Sequence, residues 1–487
     1  MRARALLGVL LLAGCTVGPD YHAMRAAAPS DWADRPHTAA SPTDPKSWWM
    51  RFNDSELDHL IGDALCANAD VLEAQARLRE ARASLVQKRS GLYPAIDGSG
   101  SATRSRQKIS GFGDNSSLTG NIFKTGFDAS FELDIFGARR RSVESSAANA
   151  QAYEADLDDT IRSLLGDVAR HYVQARGYQA RIIIAKDTLA ARTDTWLLTR
   201  AKALAGTGTG LDEVQARAEM DSAAATIAPL EYSFHESVNR LAVLTGAPPQ
   251  DVLDRLRKAA PVPVPSGEIE PDPPVEVLAR RPDVRAAERR IAEATADIGV
   301  SEADRYPAVS LAGAIGLNSE TIRSFASRSS TTWSFGPTLS VPVFDAGKRA
   351  AKVREKEAVR DEKIAAWQAT VRSAIEETEN ALTALDRERA HNEALRKAVA
   401  AYKSAFDVSQ AQYEAGLTTF LSVLEADRSL ASQRDSLAQS DVNLAVGAIA
   451  LYKALAGGWE NDQNITLPER ASSMSQHERV SDEHDSN

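Results

Sequence analysis

With 487 residues and a net charge of −10, the chain exceeds one ordinary core and carries no basic run of the kind that binds nucleic acid. Its 8 His are scattered, and none stands at metal-ligand spacing from either of the 2 Cys, which argues against a metal centre. Aromatic residues make up only 6% and Ala is abundant, a composition that long packed helices favour.

Arg2 and Arg4 precede an apolar run, Ala5 to Leu12, closed by Ala13-Gly14-Cys15. A charged start, a short apolar centre and small residues before a cut make an export signal, and the run is too short to span a bilayer. Cys15 directly after Leu-Leu-Ala-Gly resembles the bacterial lipobox. That resemblance implies cleavage of residues 1–14, a diacylglyceryl group on the Cys15 thiol and an N-acyl chain on the new amine. Thr16, not Asp, follows, which points to delivery to the outer membrane. Residues 15–50 are Pro- and Ala-rich without periodicity and are expected to form a lipidated tether. Cys66 is then the remaining thiol, expected to be a small buried apolar side chain.

From there the chain reads as two copies of one unit, 51–270 and 271–460, offset by roughly 210 residues. Asn68-Ala-Asp-Val71 matches Arg281-Pro-Asp-Val284, and Tyr93-Pro-Ala-Ile96 matches Tyr306-Pro-Ala-Val309. The segment Leu133–Arg139 matches Val341–Lys348, Ala205-Gly206 with Leu211 matches Ala415-Gly416 with Leu421, and Leu244-Thr-Gly246 matches Leu455-Ala-Gly457. Each copy is predicted as helix, strand, loop, strand, very long helix, tip and return helix. A polar tail, 461–487, follows and is predicted to be disordered.

Alternation places strands at 93–104, 125–136, 306–317 and 333–344. Phe127, Ala129, Phe131, Leu133 and Ile135 point one way, and Asp128, Ser130, Glu132 and Asp134 the other. Pro337 argues against a central position for the last strand. Each run is about ten residues long, enough to cross a bilayer when tilted. A soluble sandwich with one wet face is excluded, since four strands in a chain otherwise nearly all helical cannot build one. They cannot close a membrane barrel alone either, because the smallest have about eight strands. Open edges in lipid strand backbone groups at several kcal/mol each, so several chains must close the barrel together.

The Pro-free stretches 138–205 and 346–415 are predicted as helices of roughly 100 Å each. Val371, Ile375, Leu382 and Leu385 form the narrow seam of coiled-coil packing. Helices 211–245 and 419–456 return from them, with Pro229 expected to kink the first. Pro-rich 260–274 links the copies, after a small helix near Gln250–Lys258. At the second tip Gly416 suits a helix C-cap, and Thr418 or Thr419 suits the next N-cap. Leu421, Glu425 and Arg428 fall at i, i+4 and i+7 on one stripe, either a gate or a packed seam with a wet edge.

Four segments carry a family resemblance: the lipobox with Thr16–Tyr21, Phe131–Gly137, Arg280–Val284, and Tyr413–Arg428 with Leu451–Gly457. Together they look like the TolC-type outer-membrane efflux proteins, in the lipoprotein (NodT-type) branch that serves RND multidrug pumps. The resemblance implies a mainly α chain with a membrane β-barrel. In it a homotrimer shares twelve strands, four per chain, above a long periplasmic α-helical barrel. Such a trimer, in the outer membrane of a Gram-negative bacterium, is the exit duct for an inner-membrane RND-type pump, joined through a periplasmic adaptor. It implies a pore gate of Leu421, Glu425 and Arg428, although the family usually has Asp where Glu425 stands. Ser422 holds the other acidic position of some members, so one ring is missing. Tyr413 and Asp212 match a linking pair between hairpins, whereas Thr418 stands where some members carry a linking Arg.

Catalysis finds no support. Gly206-Thr-Gly-Thr-Gly210 lies between helices rather than after a strand, unlike a dinucleotide loop. A type I secretion component shares the predicted architecture. A passive porin has no use for the paired helices, and a coiled-coil scaffold leaves the strands unexplained. The lipobox yields a direct expectation: Cys15→Ser abolishes incorporation of labelled fatty acid, and unchanged labelling contradicts it.

Overall fold

The structure, a computed structural model, describes residues 16–33, 47–108 and 117–458. The signal peptide, the lipidation expected at Cys15 and the polar tail lie outside the described residues.

After a 3-10 turn at Trp48–Phe52, helices α1 (Ser55–Ala67) and α2 (Ala69–Ser90) lead into strands β1 (Ala95–Lys108) and β2 (Ser117–Leu133). Then come the long helix α3 (Ala138–Leu204), its return α4 (Gly210–Thr245) and the short α5 (Pro249–Leu256). The second copy runs α6 (Pro274–Arg280), α7 (Pro282–Ala303), β3 (Ala308–Ser319), β4 (Thr331–Ser340), α8 (Lys348–Glu414) and α9 (Phe420–Ala454).

The strands form one antiparallel sheet in the order β1-β2-β3-β4. Its register lines apolar residues in rows on one face: Leu133–Val309–Leu339, Phe131–Leu311–Pro337, Ile96–Ala129–Gly313–Phe335 and Gly98–Phe127–Ile315–Trp333. Trp333 and Phe335 are 77% and 69% exposed within the chain, as side chains that meet lipid rather than a protein core must be. Two further rows, through Thr125–Leu317 and Ala102–Phe123, continue the same face. Rows stand about 6.8 Å apart along a strand, so at a tilt of roughly 40° the band is about 26 Å tall, the height of an outer-membrane apolar belt. The opposite face carries every acid of the strands, Asp97, Asp128 and Glu132, with Ser99, Ser130, Ser310 and Ser334. On that face Gly126 opposes Gly316 so closely that a Cβ on Gly316 would lie 2.4 Å from the Thr125 carbonyl oxygen. Side chains there would force the two strands apart.

Strand ends differ from the predicted ones. β1 and β2 run on to Lys108 and Ser117, because ladder pairing from Arg104–Asn121 upward needs no apolar side chains. At the other end β2 stops at Leu133, where the Asp134 carboxylate accepts the Arg139 and Arg140 N–H groups at 2.9 and 3.0 Å and opens α3. β4 stops before Pro342, which cannot donate to a ladder. Pro337 is accommodated in β4, which among the described residues pairs only with β3.

The described residues form two compact units that cut across the repeat. One takes the residues up to Arg25 with Arg77–Glu154 and Ala286–Ala369; the other takes Ala26–Ala76, Ala155–Arg285 and the residues from Thr370 on. Each unit draws on both copies, since β2 pairs with β3 in one and helices of both copies pack in the other. In the first unit, residues expected as a tether are strapped down. Val17 N–H donates to the Phe136 carbonyl at 3.1 Å, buried Arg141 donates to Asp20 at 2.6 Å, and Tyr21 donates to Glu288 at 2.6 Å.

In the second unit Trp48 stacks on Tyr452 at 5.3 Å, and the Tyr172 hydroxyl donates to Asp54 at 2.7 Å. The repeat recurs as a structural device. Asn68 Nδ2 donates to the Leu244 carbonyl at 2.9 Å, and Arg281 Nη1 donates to the Ala454 carbonyl at 3.1 Å, so each return helix is capped by the matching residue of its own copy. Burial pulls the Arg281 pKa down, but Asp283 and Glu377 outweigh it and the net shift is upward. One expectation fails here. Cys66 is exposed, because α1 turns Leu57, Leu60, Ile61 and Ala64 inward instead. Pro229 lies inside α4, which is one continuous helix from Gly210 to Thr245.

Depth sets the cost of charge on the apolar face. Phe127→Arg, near mid-band, is expected to cost about 2–4 kcal/mol, and Leu133→Arg, in the outermost row beside the helices, only about 0–1 kcal/mol. Refolding titrations into lipid measure both; equal costs contradict the assigned depth.

Candidate functional site at the hairpin tips

Both hairpins turn the same way. Gly206 and Gly416 adopt φ of +70° and +72°, the left-handed conformation that glycine tolerates best. Thr207 N–H reaches back to the Lys202 carbonyl at 3.0 Å, and Leu417 N–H to the Gln412 carbonyl at 2.8 Å. The following caps differ. Thr209 and Asp212 form a capping box at the start of α4, whereas Thr419 at the start of α9 makes no side-chain cap.

Below the tips, Phe420 and Leu424 of α9 bury themselves against Ala216 of α4, with Trp196 and Tyr413 packed around them. Tyr413 lies 5.7 Å from Phe420 between ring centroids, and the Lys202 ammonium sits 4.1 Å above the Tyr413 ring. These contacts fix the rotation of α9, so its other face turns out. Leu421 is 50% exposed there, and Glu425 and Arg428 follow along the same exposed stripe.

Arg428 reaches back from that stripe. Its Nε donates to Glu219 Oε1 at 2.8 Å, and its Nη2 donates to the same oxygen. Glu219 is almost buried, and its second oxygen pairs with Arg192 Nη1 at 3.0 Å. Arg192 Nε in turn donates to Asp427 at 2.8 Å. Two guanidinium groups and two carboxylates thus tie α3, α4 and α9 together. The Glu219 hydrogen bond is the main reason the Arg428 pKa is raised, with the charges of Glu425 and Asp427 adding to it.

Tyr413 and Asp212 do not form the expected link within the chain. The Asp212 carboxylate accepts the Thr209 N–H at 3.4 Å in the capping box, and no hydrogen bond joins it to Tyr413. Burial raises the Tyr413 pKa, and the Asp212 charge adds to that. Sequence reasoning found Arg428 but missed its partners. The available signal was Glu219 between Ala216 and Ala223, an acid on an otherwise small apolar stripe of α4.

The family model described as outer membrane efflux protein matches the chain twice, at residues 60–247 and 274–457. Nodulation protein T of Rhizobium leguminosarum bv. viciae is 31% identical over 473 residues, covering 97% of this chain and 96% of that protein. The toluene efflux pump outer membrane protein TtgI of Pseudomonas putida is 30% identical over 473 residues, covering 94% and 98%. Among solved structures, the outer-membrane channel OprN superposes with a TM-score of 0.85 at 34% identity, covering 92% of this chain and 100% of that one. The open state of the Neisseria gonorrhoeae MtrE outer membrane channel gives 0.82 at 26% identity, covering 92% and 100%. The fold is therefore that of the TolC-like trimeric channels, in which three chains share one barrel of four strands each, above a periplasmic helical barrel. Matched along both copies and at 31% identity over nearly its whole length, this chain belongs to the outer membrane efflux protein family.

Proposed function

We propose that three copies of this chain form the exit duct of a tripartite efflux system. Small molecules reach the duct from an inner-membrane RND-type pump through a periplasmic adaptor, and the hairpin tips are its gate. The N-terminal lipid on Cys15 adds a membrane anchor to each chain. The observation that carries the gate is the quartet Arg192, Glu219, Asp427 and Arg428, which joins the first hairpin to the second just below the tip.

Around a threefold axis, Leu421 makes an apolar collar and Glu425 an acidic ring one turn below it. A ring of carboxylates favours cations, and its self-repulsion opposes closure. The quartet supplies the opposing force, because Glu219 sits between two cations and out of water, where the attraction is screened least. Tyr413 and Asp212 add a second link between neighbouring chains. Among the described residues the Tyr413 hydroxyl has no hydrogen-bond partner, and Asp212 Oδ1 stands outside the capping box. A hydrogen bond to a charged acceptor adds about 1.5–3 kcal/mol per pair.

Planar-bilayer recordings test the assignment. The resting trimer is expected to show small, cation-selective conductance. Glu219→Gln leaves Arg192 with Asp427 alone and takes the carboxylate from Arg428, which loosens the tie between the hairpins, so conductance rises. Glu425→Gln lowers cation selectivity and leaves pore size unchanged. Parent-like conductance in Glu219→Gln, with a wider pore in Glu425→Gln, shows lock and filter to be reversed. Failure to co-purify with an adaptor from native membranes sinks the tripartite reading and leaves the gate untouched.

A further inference from the structure

The outward face of the sheet changes character above its apolar band. On β1 the residues that share a face with Ile96 continue through Ala102 to Arg104 and Arg106, which pair in register with Asn121 and Thr119 of β2. Both arginines are exposed. They stand at the strand ends far from the helices, one and two rows beyond Phe123, and so about 7 and 14 Å further along the strand. The loop between β3 and β4 reaches the same rim on the same side. Its Phe325 ring packs edge-on against outward-facing Phe123, with centroids 6.4 Å apart, and exposed Arg323 and Arg328 flank that anchor. Closing the barrel sets β4 of one chain beside β1 of the next, which brings Arg328 to the rim that carries Arg104 and Arg106.

Every acid of the strands lies on the lumen face, where Lys124 is the accompanying cation, while Arg104 and Arg106 lie on the outward face. Asp97, Asp128 and Glu132 all face the lumen, and Glu320 is the acid of the β3–β4 loop. A cationic rim directly above an apolar band fits a partner with the reverse order, phosphate groups above acyl chains. Guanidinium groups suit it better than ammonium groups, because they grip phosphate oxygens in pairs. The outer leaflet of a Gram-negative outer membrane consists of such a molecule, a phosphorylated, multiply acylated glycolipid. We propose that Arg104 and Arg106, with Arg323 and Arg328, form a binding surface on the outer rim of the barrel for the phosphates of outer-leaflet lipopolysaccharide.

The test uses the purified trimer and two probes, bisphosphorylated lipid A and the same lipid after enzymatic removal of both phosphates, with bound lipid counted by native mass spectrometry. Wild-type trimer is expected to prefer the phosphorylated lipid, and Arg104→Gln with Arg106→Gln to bind it roughly 25-fold more weakly, at about fivefold per arginine near an anionic surface. Arg104→Lys with Arg106→Lys keeps the charge but loses the paired grip, and is expected to bind between the wild type and the double Gln variant. Equal binding of the two lipids by the wild type overturns the proposal, and so does an undiminished preference in the double Gln variant. Should that variant fail to assemble, the wild-type comparison decides alone. Displacement of the lipid by millimolar inorganic phosphate also overturns it, since the rim is then a free-anion site.

Discussion

Hydrocarbon offers no partner for a backbone N–H or C=O, and the rest of this structure follows from that. Each chain contributes four strands and two open edges, β1 and β4, each a row of unpaired groups. Leaving them in lipid costs several kcal/mol per group, far more than a marginally stable fold can absorb. Edges must meet edges of other chains, so the barrel is an assembly before it is a domain. The same constraint settles which face is which. Once closed, the rows through Phe127, Ile315 and Trp333 meet lipid, and Asp97, Asp128 and Glu132 line water.

Duplication explains how one chain serves both ends of the duct. The copies keep the parts that are purely geometric. Both tips use a left-handed glycine and the same backward hydrogen bond, and each return helix is capped by the residue that precedes the second helix of its own copy, α2 or α7. They diverge where charge matters. The first hairpin supplies the buried acid Glu219 and the cation Arg192, and the second supplies Arg428 and Asp427. A link between unlike partners holds two different hairpins together, which identical hairpins carrying only acids could not do.

Much of this was legible in the sequence, because it rests on short-range pattern. Alternation marked the four strands, the absence of proline marked the two long helices, and Gly206 and Gly416 marked the tips. What escaped depends on contacts distant in sequence. The polar upper ends of β1 and β2 are strands only because they pair with each other. Cys66 faces out because its neighbours on α1 fill the core first. The Asp212 carboxylate is held by its own helix start, and the partner of Arg428 lies 209 residues away, beyond the reach of any periodicity. The segment after Cys15 carries no pattern at all, yet backbone and ionic contacts fasten it.

The number of chains in the folded, membrane-extracted protein tests the central constraint most directly. Light scattering in detergent, corrected for bound detergent, is predicted to give three times the mature chain mass. A monomer that keeps its strands inserted and protected from hydrogen exchange would show that the edges of β1 and β4 can be satisfied within one chain, and the shared barrel would fall with it.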